Sequence, residues 1–290
     1  MRFRRFIRQD AFAAVFFLAP SVIGFAIFYA VPFIASVVYS FVDSPVKGSF
    51  VGLDNYRELF LSPSFRKAGS NTFVFTAISV PLMLALSLWI AIMLNQRVYF
   101  LKWLRTSYVL PLVVPAASVV FIWQIIFDWN GTMNGWLYRL GVEQVDWMKS
   151  DWALGAVTSI YLWKNLGYNI ILLLAGLLSI PKDYYETADL EGAGAIRKLT
   201  GITLVYLMPT IFFVSFMSII NSFKVFRETY LLAGSYPHDR IYMMQHYMNN
   251  VFQELDIQKL SAASVVMVGC ILIFVWMLLM MDRRFRAFTE

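Results

Sequence analysis

Apolar positions along the chain gather into six long runs, at about 11–34, 71–94, 107–127, 153–178, 203–223 and 260–281, with shorter polar connections between them. A helix needs about 20 residues to cross roughly 30 Å of hydrocarbon, and each run meets that length. The pattern predicts an all-α membrane protein of about six spans. Prolines fall within or at the ends of several runs, at Pro20, Pro32, Pro81, Pro111, Pro115 and Pro209. Such breaks suit a bundle around a path where neighbours or water satisfy the freed carbonyls, and equally suit ordinary kinks. Trp103, Trp123, Trp129, Trp136, Trp147 and Trp152 stand near the expected interfaces, where amphipathic rings anchor in the headgroup layer.

Composition agrees with this reading. Hydrophobic residues make up 59% and charged residues 14%, against about 25% charge in a soluble domain. A basic N-terminus followed by an apolar stretch resembles a secretory signal, but the stretch is too long and lacks a cleavage site, so it reads as a retained first span. No linker marks a second domain, and residues 1–290 are expected to form one transmembrane domain.

The net charge of +6 would hint at nucleic acid in a soluble protein. Here the cations lie in the connections, which points to membrane lipid instead. One set of connections carries thirteen Lys and Arg against seven acidic residues, the other ten against eleven. That asymmetry predicts both termini in the cytoplasm. The single cysteine, Cys270, falls in the last run and reads as an inert packing residue.

The connection from Ser179 to Pro209 is the most informative. Pro181, Asp183 and Glu186 favour the start of a short helix, which should run to about Glu191. Gly192 and Gly194 break it, and a second helix leads through Ile202 into the fifth span. Ala188 and Gly192, four apart, leave a smooth strip on which another protein can dock. Within this connection Glu186-Thr187-Ala188, then Gly192, then Ile202-Thr203-Leu204 resemble the EAA loop of permease subunits of binding-protein-dependent ABC importers, although Thr187 and Val205 depart from its pattern. FVGLDNYRELF at 50–60 and TYLLAGSYP at 229–237 are similar to segments of the sugar-importer branch that includes maltose and glycerol-phosphate permeases.

The resemblance implies the type I importer permease fold, N-in and C-in, in a bacterial or archaeal cytoplasmic membrane. It implies coupling through residues 179–202, with Tyr185, Glu186, Thr187, Ala188, Asp189, Gly192 and Ala193 docking into an ATPase. The implied partners are a second permease, two ATPase subunits and an extracytoplasmic solute-binding protein, and the cargo a sugar, most often an oligosaccharide. No glycine is followed by lysine, so the phosphate-cradling loop is absent. The chain is expected to be no enzyme and to hold no cofactor, with ATP and Mg bound by the ATPase partner.

Lys164 lies mid-run in the fourth span, and an intramembrane cation must face water or a partner. By position relative to the maltose permease, Lys164, Asn165 and Tyr168 are expected to line the sugar path, as are Ser218, Asn221 and Ser222 at the end of the fifth span. An interhelical ion pair for Lys164 and helix-holding bonds for the polar group are the alternatives. Lys164, with Lys224 and Arg227, raises a second possibility, an anionic cargo such as a uronate or glycerol phosphate. An ATP-independent secondary transporter is the rival from another class. His238 and His246 show no metal-binding spacing and read as solvated loop residues, and the carboxylates near Glu186 lack a facing cluster, so no metal site is expected.

Overall fold

A computed structural model describes residues 15–95, 111 and 114–289 of the chain. Among these the secondary structure is helical, with one isolated bridge pairing Val42 and Phe50. Five helices are long and apolar enough to cross a membrane: Val15–Tyr39, Pro63–Asn95, Ala153–Leu178, Ala195–Ala233 and Ile257–Arg284. They coincide with five of the six expected runs. The remaining run, 107–127, is described mainly as a helix over Ala116–Phe127, and its first part falls outside the described residues. So do Trp103 and the basic residues of the N-terminus and of 97–105.

By contacts the chain falls into two compact units, 1–62 with 251–268, and 63–250 with 269–290. In the first, α1 (Val15–Tyr39) contains a π-helical turn over Ala26–Ala30. The turn lies just ahead of Pro32, which has no N–H to give the preceding turn. A short helix, α2 (Asp54–Leu61), follows a left-handed turn at Gly52. Asn55 donates to the carbonyls of Ser40 and Val42 at 3.0 and 2.9 Å, and Tyr56 shares a 2.7 Å hydrogen bond with Ser40. These two residues explain why the NYR stretch closes the chain back on the end of α1.

The second unit is built on α3 (Pro63–Asn95), α6 (Ala153–Leu178) and α9 (Leu204–Phe223), which pack on one another pairwise. The structure gives the fourth span the expected bounds. It starts α3 eight residues earlier than expected, because its polar first turns, PSFRKAGS, remain helical ahead of the apolar run. Ala91, Ile170, Leu173, Leu177, Leu207 and Val214 form one core where the three helices meet. Gly176 allows the close approach of α6 to α9, since a Cβ there would lie 2.6 Å from Thr210 Oγ1 and 2.7 Å from Leu207 Cδ1.

Helices α4 (Ala116–Phe127) and α5 (Thr132–Arg139) lead to a loop organised by the buried Asn134. Its amide donates to the carbonyls of Trp129 and Val145 and accepts from the Val145 N–H and Trp147 Nε1, at 2.9–3.1 Å. Trp123 stacks on Phe127 and meets Trp163 edge-on, and Trp147 packs against Phe127. Trp123 and Trp147 are therefore packed among rings rather than set out as interface anchors, whereas Trp129, Trp136 and Trp152 are exposed. Cys270 likewise is exposed on its helix instead of packed.

Between α6 and α9 lie α7 (Lys182–Leu190) and α8 (Ala195–Lys198), the latter passing through a π-helical stretch, Leu199–Thr203, into α9. After α9 come α10 (Phe226–Ala233), α11 (Met244–Gln253) and α12 (Ile257–Thr289). Gly234 at φ 76° ends α10 inside the TYLLAGSYP segment. His246 is fully buried in α11, against the expectation of a solvated residue. Its Nδ1 accepts the Met243 N–H at 3.3 Å, and its ring meets Phe226 edge-on at 4.8 Å. Burial among rings, which disfavours the charged imidazolium, lowers its pKa to about 4.

Candidate functional site

Residues four or three apart share a helix face. On α6 that spacing aligns Tyr161, Lys164, Asn165 and Tyr168 as a polar stripe along an otherwise apolar span. Past the middle of α9 it aligns Met217, Asn221 and Lys224 and continues to Glu228 in α10. The two stripes line one cavity of 560 Å³, to which Phe226, Arg227 and Gln245 also contribute.

Of the six residues expected to line a path, Lys164, Asn165, Tyr168 and Asn221 share this wall. Ser218 and Ser222 point elsewhere and join helices. Ser218 Oγ accepts from Asn169 at 2.9 Å and its carbonyl accepts from Tyr161 Oη at 2.7 Å, tying α9 to α6. Ser222 Oγ lies 2.9 Å from Thr76 Oγ1 of α3. Sequence reasoning missed Tyr161 and Glu228. The first could have been found by extending the Lys164 stripe one turn back.

Lys164 forms an ion pair with Glu228, whose carboxylate is almost entirely buried. The interhelical pair weighed from the sequence is thus present, and it forms part of the cavity wall. Lys224 and Arg227 are exposed on the same wall and make no ion pair among the described residues.

The connection after α6 forms a second feature. Pro181 caps α7 and Asp183 stands in its first turn. At the other end Gly192 takes φ 74°, with its N–H on the carbonyl of Asp189 at 3.1 Å and the Ala193 N–H on that of Ala188 at 2.8 Å. This pair of bonds is a Schellman stop, which needs a left-handed residue at that position. Gly194 keeps an ordinary φ of −69° and starts α8.

Side chains tie α7 to the start of α9. Tyr185 Oη lies 2.9 Å from Thr203 Oγ1, and Tyr184 stacks on Tyr206 at 4.8 Å. Asp189 pairs with Lys198 at 2.5 Å. Glu186, Thr187, Asp189 and Gly192 are exposed, and Ala188 and Ala193 are half-buried. Leu190 is 91% and Ile196 79% exposed, so the knob presents apolar side chains outward.

Apolar helices packed around a charged cavity, with a capped outer helix fastened to one of them, define a multi-pass membrane transport subunit. The chain belongs to the family of binding-protein-dependent transport system inner membrane components, whose pattern it matches over residues 48–287. It is the transmembrane subunit of an ABC importer and not an enzyme, which decides against the secondary transporter.

Its relatives include the sulfoquinovosyl glycerol transport system permease of Agrobacterium fabrum, 32% identical over 89% of this chain and 86% of the relative. Another is the arabinooligosaccharides transport system permease of Bacillus subtilis, 34% identical over 76% and 72%. In fold the chain is similar to a subunit of a bacterial ABC transporter for import of the acidic polysaccharide alginate, with a TM-score of 0.84, 24% identity and 98% and 99% coverage. The fold is the type I importer permease fold. The family implies no cofactor in this chain, and among the described residues no cluster of three or more His, Cys, Asp or Glu is placed to hold a metal.

Proposed function

We propose that this chain pairs with a second permease to form the translocation path for a sugar, most often an oligosaccharide, delivered by an extracytoplasmic solute-binding protein. The observation that carries this reading is the makeup of the cavity wall. Tyr168 offers an aromatic face for the apolar side of a pyranose ring, and Asn165, Asn221 and Gln245 offer amides for hydroxyls. A mostly apolar cavity with a few placed polar groups is the usual form of a small-molecule site. The named cargoes of the relatives support the same class.

On this reading residues 1–290 act as one permease domain with both termini in the cytoplasm of a bacterium or archaeon. Two ATPase subunits bind ATP and Mg, and one of them docks on α7 and the turn behind it, through Tyr185, Glu186, Thr187, Ala188, Asp189, Gly192 and Ala193. The exposed Leu190 and Ile196 support a docking role, because outward apolar side chains on a capped knob gain from being covered.

The test is affinity capture of the tagged subunit from detergent, with mass spectrometry of what it retains, for the native chain and for Gly192→Asp. The native chain should hold an ATPase, a second permease and a solute-binding protein. The variant should lose the ATPase, since a side chain at positive φ strains the Schellman stop. Equal retention of the ATPase by both would remove the docking assignment.

A further inference from the structure

We infer that the cargo met by this cavity is an acidic saccharide, and that Lys224 and Arg227, rather than Lys164, receive its carboxylate. The inference rests on the proposed sugar path and sharpens it. The wall carries three cations, Lys164, Lys224 and Arg227, and one carboxylate, Glu228.

Glu228 is buried and already bound to Lys164. That pair is neutral as a unit, so an incoming anion would have to displace Glu228 and leave it buried without a partner. Displacement of this kind is strongly unfavourable. Lys224 and Arg227 differ on both counts. They are exposed, face the same cavity and hold no carboxylate among the described residues.

Two uncompensated cations against low-dielectric walls focus a positive potential into the cavity and concentrate anions there. Arg227 adds a planar fork that matches a carboxylate in two parallel hydrogen bonds, and Lys224 adds a point charge beside it. A neutral sugar could accept hydrogen bonds from both but would leave their charges uncompensated. Tyr168, on the opposite stripe and half-buried, remains free for a ring face. The chemical class that uses all of these groups together is a uronate-bearing oligosaccharide.

The importer reassembled in proteoliposomes with its captured partners tests this. The probes are uronate oligosaccharides of two to five rings and the same compounds after carboxyl reduction, which turns each carboxylate into a neutral hydroxymethyl group. The native importer should favour the acidic probes. Lys224→Gln/Arg227→Gln should lower the ratio of acidic to reduced uptake at least tenfold, since one lost charge-assisted hydrogen bond alone is worth about that much, while the charge-keeping Lys224→Arg/Arg227→Lys should lower it less.

If the neutralised variant does not assemble, the native importer still decides: KM for the acidic probes should rise with ionic strength and KM for the reduced ones should not. An unchanged ratio, a flat salt response or preference for the reduced probes overturns the inference and leaves the sugar reading standing. In that case the two cations serve a lipid headgroup or the second permease. Uptake of neither set overturns the sugar reading and the inference with it.

Discussion

Lys164 and Glu228 settle how an apolar span tolerates a charge. Lys164→Met should cost about 3–5 kcal/mol, because Glu228 is stranded in a buried place, whereas Lys164→Met/Glu228→Gln should regain most of it. Thermal unfolding of the purified subunit in detergent measures both, and a single variant as stable as the native chain would show that the pair does not hold α6 to α10. The sequence displayed Lys164 as an intramembrane cation but hid its partner. Glu228 lies 64 positions on and past the last apolar residue of the fifth run, where a carboxylate reads as solvated. His246 was hidden for a similar reason, since only packing against Phe226 and Met243 reveals its burial. Its neutral form is favoured in the fold, with a pKa of about 4 against an ordinary 6.5. As pH falls through that window the unfolded chain takes up a proton that the folded chain refuses, so stability present at neutral pH is lost. The melting temperature of the native subunit should therefore drop more between about pH 7 and pH 5 than that of His246→Gln. Glutamine can still accept the Met243 N–H but does not titrate.

At the level of elements, legibility followed length and punctuation. The fourth span was readable to its ends, and the stop of α7 at Gly192 followed from glycine's access to positive φ. The connection 128–152 was not readable, because it is held by one buried amide, Asn134, whose partners are backbone groups and a tryptophan that no periodicity reveals. Ser218 and Ser222 show the limit in the other direction. Their spacing put them near the cavity stripe, but a helix turns 100° per residue, and one position further round they face α6 and α3. The contact of α6 with α9 depends on Gly176, where any Cβ meets Thr210 and Leu207. Gly176→Val should force the two helices apart, at a cost of about 1–3 kcal/mol for overpacking. Gly155 of the same helix, with open space where its Cβ would be, is the control: Gly155→Ala should leave the melting temperature nearly unchanged.

For the molecule as a whole, the fold was legible because lipid imposes so strong a pattern, and the class because the 186–204 motif resembles the EAA loop of importer permeases, the family to which the chain belongs. The cavity was half legible: its α6 stripe stands in one short stretch of sequence, while Arg227, Glu228 and Gln245 come from segments that reading in order takes for outer loops. One feature joins the two functional regions. The first turns of α9 are gripped by Tyr184 and Tyr185 of α7, and its last full turn places Asn221 on the cavity wall. Thr203 and Tyr206 lie 18 and 15 residues before Asn221, about 23–27 Å along one helical rod. Coupling through such a rod must be reciprocal. If an ATPase docks on α7 and a cargo sits in the cavity, as proposed, the free energy that one contributes to the other's binding is returned in equal measure. On the proposed assignments the one helix that carries docking inward also carries occupancy of the cavity outward.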